Sequence, residues 1–380
     1  MCLTGSCFSP AHLPKIKNHT ENIFHQSINA HFCYILSSQN EILMEQKVNG
    51  KIAVVGAGAI GSVVGGLLAK AGEDVTLIAR KEHVDTINSD GLLIKGIANG
   101  VRIKVKAAEK LDFHPDIILL AVKTQDVEEA CRQIEAYIGQ AVVVTLQNGV
   151  RSDGIVAGYM PVENIISGMV MFNAQYLQPG QVTYSHAGKI VIGDPYVGNH
   201  ERLANIASLL SKAVKTKVTD NISGVHWSKL LVNNLSNGVE AMTGMSIAEC
   251  MNDRVLKKIS ALTLREGYKV IRKAGYHPAG LPGAPLLLLR FIVYSPLSVA
   301  EWALRQSMKN LRTLSSTLQS IRRGKPTEID YLNGEIVQLG IKTGMETPAN
   351  KLVTNMVKDV EKTGKFASIA EIYSQAQERV

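Results

Sequence analysis

Residues 51–80 read KIAVVGAGAIGSVVGGLLAKAGEDVTLIAR. Residues 51–56 form a short apolar strand that runs into glycines. Residues 60–71 carry small and apolar side chains at helical spacing. Gly72 closes that helix, and residues 75–79 read as the next strand. Gly56, Gly58 and Gly61 make a G-x-G-x-x-G turn between strand and helix. In such a turn the first glycine allows the tight bend. The second leaves the backbone bare for a pyrophosphate, and the third lets helix and strand pack closely. The helix opens at Ala59 and Ile60, where unpaired amides and the positive dipole end face the phosphates. The pattern predicts a dinucleotide site.

The end of the second strand decides which dinucleotide. An acid there would bind the ribose 2′-hydroxyl of NAD and repel a 2′-phosphate. This chain instead has Ala79-Arg80, followed by Lys81. A guanidinium grips phosphate through two parallel hydrogen bonds. The expected cofactor is NADP(H).

The rest of the chain fits this start. The 380 residues suffice for two domains, and 46% hydrophobic with 19% charged residues is a globular composition. The net charge of +8 is scattered, IRRGK at 321–325 being its densest cluster. No basic stripe with interleaved aromatics points to nucleic acid. Five cysteines, an odd number without a C-x-x-C pair, suggest neither a disulfide frame nor a metal site, and fit a reducing cytoplasm. Residues 1–43 have no sustained period, no signal-peptide run and no arginine. They read as an extension, with the functional chain starting near Met44. The span 1–50 is therefore expected to be poorly ordered.

Near-continuous apolar runs at 116–122 and within 141–149 read as buried strands, the first with the mark of a parallel strand, with an amphipathic helix at 127–138 between them. Residues 164–194 read as several strands joined by turns, and residues 201–213 as a helix. This alternation predicts an α/β fold: an N-terminal Rossmann-type doubly wound parallel sheet over 51–220. A mostly helical C-terminal domain over 221–380 follows, with helices expected near 225–244, 253–274, 298–320, 327–342 and 348–363. The apolar segment 280–304 is broken by Pro282, Pro285, Arg290 and Pro296. It is too interrupted to span a membrane and is expected in a core or a homodimer contact, with a surface that grips a lipid or a hydrophobic substrate as the alternative.

Chemistry-bearing residues recur in the second half. Lys229, Asn233 and Asn237 stand at i, i+4 and i+8, along one face of a helix. Spacing alone fits a solvated polar face as well as a site. Ser315, Ser316, Glu328 and Asp330 lie further on. Asn148 and Lys123 each end a buried strand, where ligands of doubly wound sheets collect.

Together these stretches resemble the ketopantoate reductase (2-dehydropantoate 2-reductase) family. The resemblance rests on GAGAIG at 56–61, Arg80, AVKTQD at 121–126 and LQNG at 146–149. Further matches are W-x-K-L-x-x-N-x-x-x-N at 227–237, S-x-L-Q at 316–319, TEIDYLNGEIVQLG at 327–340 and GMETPAN at 344–350. It covers roughly 51–365. It implies reduction of ketopantoate to pantoate with NADPH, in the pathway to pantothenate and coenzyme A. By the resemblance Lys229 is the catalytic proton donor, and Glu328 holds the substrate hydroxyl. Asn233 and Asn237 bind substrate, and Ser316 binds its carboxylate. Asn148 sits near nicotinamide and substrate, with Lys123 beside the cofactor. The stretch 275–315 is longer and more apolar than the resemblance leads one to expect. A reductase of another, bulkier 2-oxo acid therefore stands as an alternative, as does a non-catalytic NADP(H) sensor. The chemistry itself is coherent: hydride addition leaves negative charge on oxygen, which a nearby ammonium stabilises and protonates.

Overall fold

The computed structural model describes residues 50–196, 200–281, 284–311 and 314–379. The expected N-terminal extension and the start near Met44 lie outside the described residues.

The quoted stretch folds as strand β1 (Ile52–Val55), helix α1 (Ala59–Lys70) and strand β2 (Val75–Ile78). Helix α2 (Lys81–Asp90), β3 (Leu92–Gly96), β4 (Val101–Ile103) and β5 (Lys106–Ala108) follow. Next come β6 (Ile117–Leu120), α3 (Val127–Ile138), β7 (Val142–Thr145), α4 (Ser152–Val156) and β8 (Ile165–Val170). The sheet region ends with β9 (Asn173–Gln178), β10 (Gln181–His186), β11 (Ile190–Gly193), α5 (His200–Ser211) and β12 (Thr216–Val218).

Eight strands form one sheet in the order β12-β11-β8-β7-β6-β1-β2-β5. All neighbours are parallel except β11 with β8. The expected doubly wound sheet is thus a mixed sheet with parallel strands at its centre. Strand order reverses at β1, so the carboxyl ends of β7, β6, β1 and β2 share one edge at the switch point.

A second sheet, β4-β3-β10-β9, was not foreseen. It explains the apolar character of α1, which packs between the two sheets. A Cβ on Gly65 would come within 2.6 Å of Leu77 and 2.8 Å of Val54 in the first sheet. One on Gly66 would come within 2.7 Å of Leu92 and 3.0 Å of Ile94 in the second. The glycine pair lets the helix approach both sheets at once.

The remaining elements are helical: α6 (Ile222–Thr243), α7 (Ile247–Cys250), α8 (Arg254–Lys273), α9 (Leu286–Tyr294) and α10 (Leu297–Met308), then α11 (Ser316–Arg322), α12 (Asn333–Thr343), α13 (Pro348–Thr363) and α14 (Ile369–Arg379). Asn221 caps α6 by accepting the Gly224 amide at 2.9 Å, and Gly244, at φ 74°, ends it. Helix α6 packs against α8, α11 and α13 around Trp227, Leu230, Leu231 and Leu235. The helix expected over 298–320 is two helices, α10 and α11. The one expected over 327–342 starts late, because Ile329–Tyr331 is a single 3-10 turn. The described residues form one compact unit.

The apolar segment divides by face. Leu289, Ile292, Val293, Ala300 and Leu304 join the helical core, whereas Leu287, Phe291, Tyr294 and Trp302 are exposed. Cys131 and Cys250 are buried free thiols, pushed up to about 11 and about 12 chiefly by burial. Neither has the depressed thiolate character of a nucleophile.

Candidate active site

The glycine turn has the geometry of a phosphate cradle. Gly56 sits at φ +95°, and a Cβ there would lie 2.6 Å from the Val122 amide nitrogen. A Cβ on Gly61 would lie 2.4 Å from the Gly56 carbonyl. Gly58 differs: a Cβ there would meet nothing within 4 Å. The first and third glycines are thus demanded by the fold itself. The second leaves open space in front of the α1 N-terminus, where Ala59 and Ile60 carry amides without intrahelical acceptors. A pyrophosphate fits this arrangement.

The cradle is held by a side-chain relay that no motif announces. The Gly180 amide donates to His83 Nδ1 at 2.8 Å. The ring hydrogen is therefore on Nε2, which points at Ser62 Oγ at 3.2 Å. Ser62 in turn donates to the Ala57 carbonyl at 2.9 Å. His83 and Ser62 are buried, and burial holds the imidazole below its usual range, hence neutral. The relay fixes the turn to the hairpin of the second sheet.

Arg80 follows β2 and caps α2 in extended conformation; its side chain is exposed and forms no ion pair among the described residues. Neighbouring Lys81 instead pairs with Asp85 at 3.1 Å. The guanidinium is the cation available at this strand end. From Arg80 to Asn148 is three strand intervals, about 14 Å along the edge.

Contacts across the chain gather the other candidates. Lys123 donates to the Pro326 carbonyl at 3.2 Å, and Thr124 donates to the Asn148 carbonyl at 2.7 Å. Glu328 lies beside Lys123 and Thr124: burial raises its carboxyl, and Lys123 and the Thr124 amide pull it back down. Arg151, just after the LQNG loop, pairs with Glu335 and lies over the Tyr331 ring. These contacts bring Lys123, Asn148 and Glu328 together.

Helix α6 supplies the row. His226, Lys229, Asn233, Asn237 and Glu240 follow at three- and four-residue steps, so they form one stripe. Its two ends are anchored. His226 Nδ1 donates to the Gly149 carbonyl at 2.7 Å. Glu240, only 1% exposed, accepts the Ser315 amide at 2.7 Å. Ser315 caps α11, and Ser316 is the exposed first residue of that helix. Lys229, Asn233 and Asn237 therefore lie between the LQNG loop and Ser316, spread over about 12 Å of helix.

Lys229 is partly buried, and among the described residues no carboxylate or carbonyl pairs with its ammonium. Desolvation pulls its pKa below the usual lysine range. Among the described residues no group of three or more His, Cys, Asp or Glu is placed to hold a metal ion. None of their helices is long and apolar enough to cross a membrane.

Comparison with known proteins accords with this geometry. The family model described as ketopantoate reductase PanE/ApbA matches residues 52–196, and its C-terminal companion matches residues 221–361. The chain belongs to the ketopantoate reductase family. It is 33% identical to a 2-dehydropantoate 2-reductase of Pyrococcus horikoshii, over 83% of this chain and 98% of that protein. It is 31% identical to the one of Pyrococcus abyssi, over 82% and 98%. The crystal structure of a PanE/ApbA family ketopantoate reductase from Ralstonia eutropha aligns with a TM-score of 0.70 at 29% identity, covering 82% of this chain and 98% of that one. The ternary structure of D-mandelate dehydrogenase with NADH and anilino(oxo)acetate aligns with a TM-score of 0.73 at 27% identity, covering 82% and 99%.

Motif reading named the candidate residues but not the neighbours that anchor their segments. His83, Ser62, His226, Asp153, Ser167 and Glu240 carry no motif. A histidine one turn before the motif lysine was the one available hint.

Proposed function

We propose that this chain reduces ketopantoate to pantoate with NADPH, within pantothenate and coenzyme A biosynthesis. The observation that carries the reading is Lys229: a desolvated ammonium without a counter-ion among the described residues, set in a row of amides beside the carboxyl edge of the parallel strands.

When bound, the nicotinamide supplies the hydride to the ketone carbon. Gly56, Gly58, Ala59, Ile60 and Gly61 hold the pyrophosphate, and Arg80 holds the 2′-phosphate. Lys123 and Asn148 lie beside the nicotinamide end. Lys229 keeps its proton at the ketone oxygen and delivers it as negative charge develops there. Asn233 and Asn237 orient the substrate, Glu328 accepts its hydroxyl, and the Ser316 hydroxyl donates to its carboxylate. Residues 51–220 act as the cofactor domain and 221–380 as the substrate domain. The chain works in the cytoplasm. The exposed Leu287, Phe291, Tyr294 and Trp302 on α9 and α10 support a homodimer contact.

The test is NADPH oxidation by the purified chain with ketopantoate, against NADH and against a panel of other 2-oxo acids that includes an aryl one. NADPH-selective turnover of ketopantoate is expected. Turnover of only another acid moves the substrate and keeps the chemistry. No turnover with any acid, with NADPH still bound, overturns the reductase reading in favour of a sensor.

A further inference from the structure

The first anchor of α6 is more than a hydrogen bond to a carbonyl. His226 is 7% exposed, and its Nε2 lies 2.8 Å from Oγ of the fully buried Ser167 on β8. Ser167 Oγ also lies 2.6 Å from Asp153 Oδ2 on α4. The other Asp153 oxygen accepts Thr145 Oγ1 at 2.6 Å. The three residues look like a nucleophilic triad, but the serine stands in the middle and has no access to substrate.

Hydrogens can be counted along this chain. The Gly149 carbonyl has none, so His226 Nδ1 must carry one. Ser167 has one hydroxyl hydrogen and two neighbours waiting to accept it, Nε2 and Oδ2. With a neutral ring and an ionised carboxylate, one of these short contacts would bring two lone pairs face to face. One added proton removes the conflict: Nε2–H donates to Ser167, and Ser167 donates to Asp153. The Ser167 hydroxyl donates to the Asp153 carboxylate, so the added proton lies on the ring. The other ionisable groups close by are Tyr196, whose phenol is influenced by Asp153, and Lys229, one turn further along α6. The Asp153 carboxylate offsets the ring charge, so the helix is anchored without adding net charge beside Lys229.

We propose that His226, Ser167 and Asp153 form a hydroxyl-bridged unit, holding one shared proton, that positions the Lys229 turn of α6 against the Asn148–Gly149 loop. His226 is a positioning residue, since it reaches the reaction through Lys229 and the loop. The proposal rests on the reductase reading only for its effect on turnover.

The experiment uses the full chain labelled with 15N at histidine, with the His226 signals assigned by the His226→Gln variant. At neutral pH both ring nitrogens should carry hydrogen. Asp153→Asn offers an amide donor where Oδ2 stood. Ser167 can then donate to Nε2, so the ring should become neutral with hydrogen on Nδ1, while kcat stays within about threefold of wild type. Ser167→Ala breaks the bridge. Amide exchange should rise in 146–150 and 222–230, and kcat should fall by about tenfold or more with NADPH affinity unchanged. A bare Nε2 in the wild-type ring overturns the shared proton. Unchanged exchange in Ser167→Ala overturns the anchoring. Wild-type protein inert toward every 2-oxo acid would sink the reductase reading alone, because ring spectra and exchange are read without substrate.

Discussion

The Lys123 ammonium donates to the Pro326 carbonyl at 3.2 Å, across 203 positions of sequence. This contact joins the end of a sheet strand to the segment that carries Glu328, and puts a cation beside a carboxyl that burial pushes up. Removing the cation should push Glu328 further up. If Glu328 must be ionised to accept the substrate hydroxyl, KM for the 2-oxo acid rises as pH falls. In Lys123→Met that rise should begin at higher pH than in wild type. Identical KM–pH curves would separate Lys123 from Glu328.

The three glycines of the turn should fail differently. Gly58→Ala meets open space, so its Tm should stay within about 2 °C of wild type while NADPH binding weakens by about tenfold or more. Gly56→Ala demands a left-handed backbone and collides with the Val122 amide, so it should lower Tm markedly as well. Calorimetry beside NADPH titration reads both. Equal loss of stability in the two variants would remove the phosphate role from Gly58.

Arg80→Asp should weaken NADPH far more than NADH, because it replaces the 2′-phosphate partner by a repelling charge. Arg80 caps α2 through its backbone alone and its side chain makes no cap hydrogen bond, so little stability should be lost. Fluorescence titration with both cofactors decides it. Equal loss for both would place the 2′-phosphate elsewhere.

Much of this arrangement was legible before any coordinates, for physical reasons. The strand–turn–helix around Gly56 and Gly61 is over-determined: hydrophobic period, turn chemistry and close packing all demand the same residues. The row Lys229, Asn233, Asn237 was visible because a helix repeats every three to four positions. The second sheet was hidden because β4 spans only three residues, too short for alternation to show, and because β3 pairs with the distant β10. The break between α10 and α11 was hidden for another reason. The α11 cap is fixed from outside, by Glu240 holding the Ser315 amide 75 positions away. His83 and His226 were illegible as lone histidines. What they do depends on which carbonyls, amides and hydroxyls the fold brings to their rings.

Lys229 carries the central claim. Its ammonium is charged at a cost, because the site desolvates it and no described residue pairs with it. The sign follows: above the unfolded-state pKa of about 10.4 the residue is neutral in both states, and the penalty grows as pH falls from there and is fully present below the lowered folded value. Lys229→Met should therefore be more heat-stable than wild type at pH 7, and catalytically silent. In wild type kcat for reduction should fall as pH rises through the lowered lysine pKa, since only the protonated form donates.

The most direct measurement is Lys229→Ala, assayed for NADPH oxidation with the 2-oxo acid that wild type turns over, together with NADPH affinity. The account predicts loss of turnover by about a hundredfold or more with affinity within about threefold of wild type. Turnover at the wild-type rate would contradict it and remove Lys229 from the mechanism.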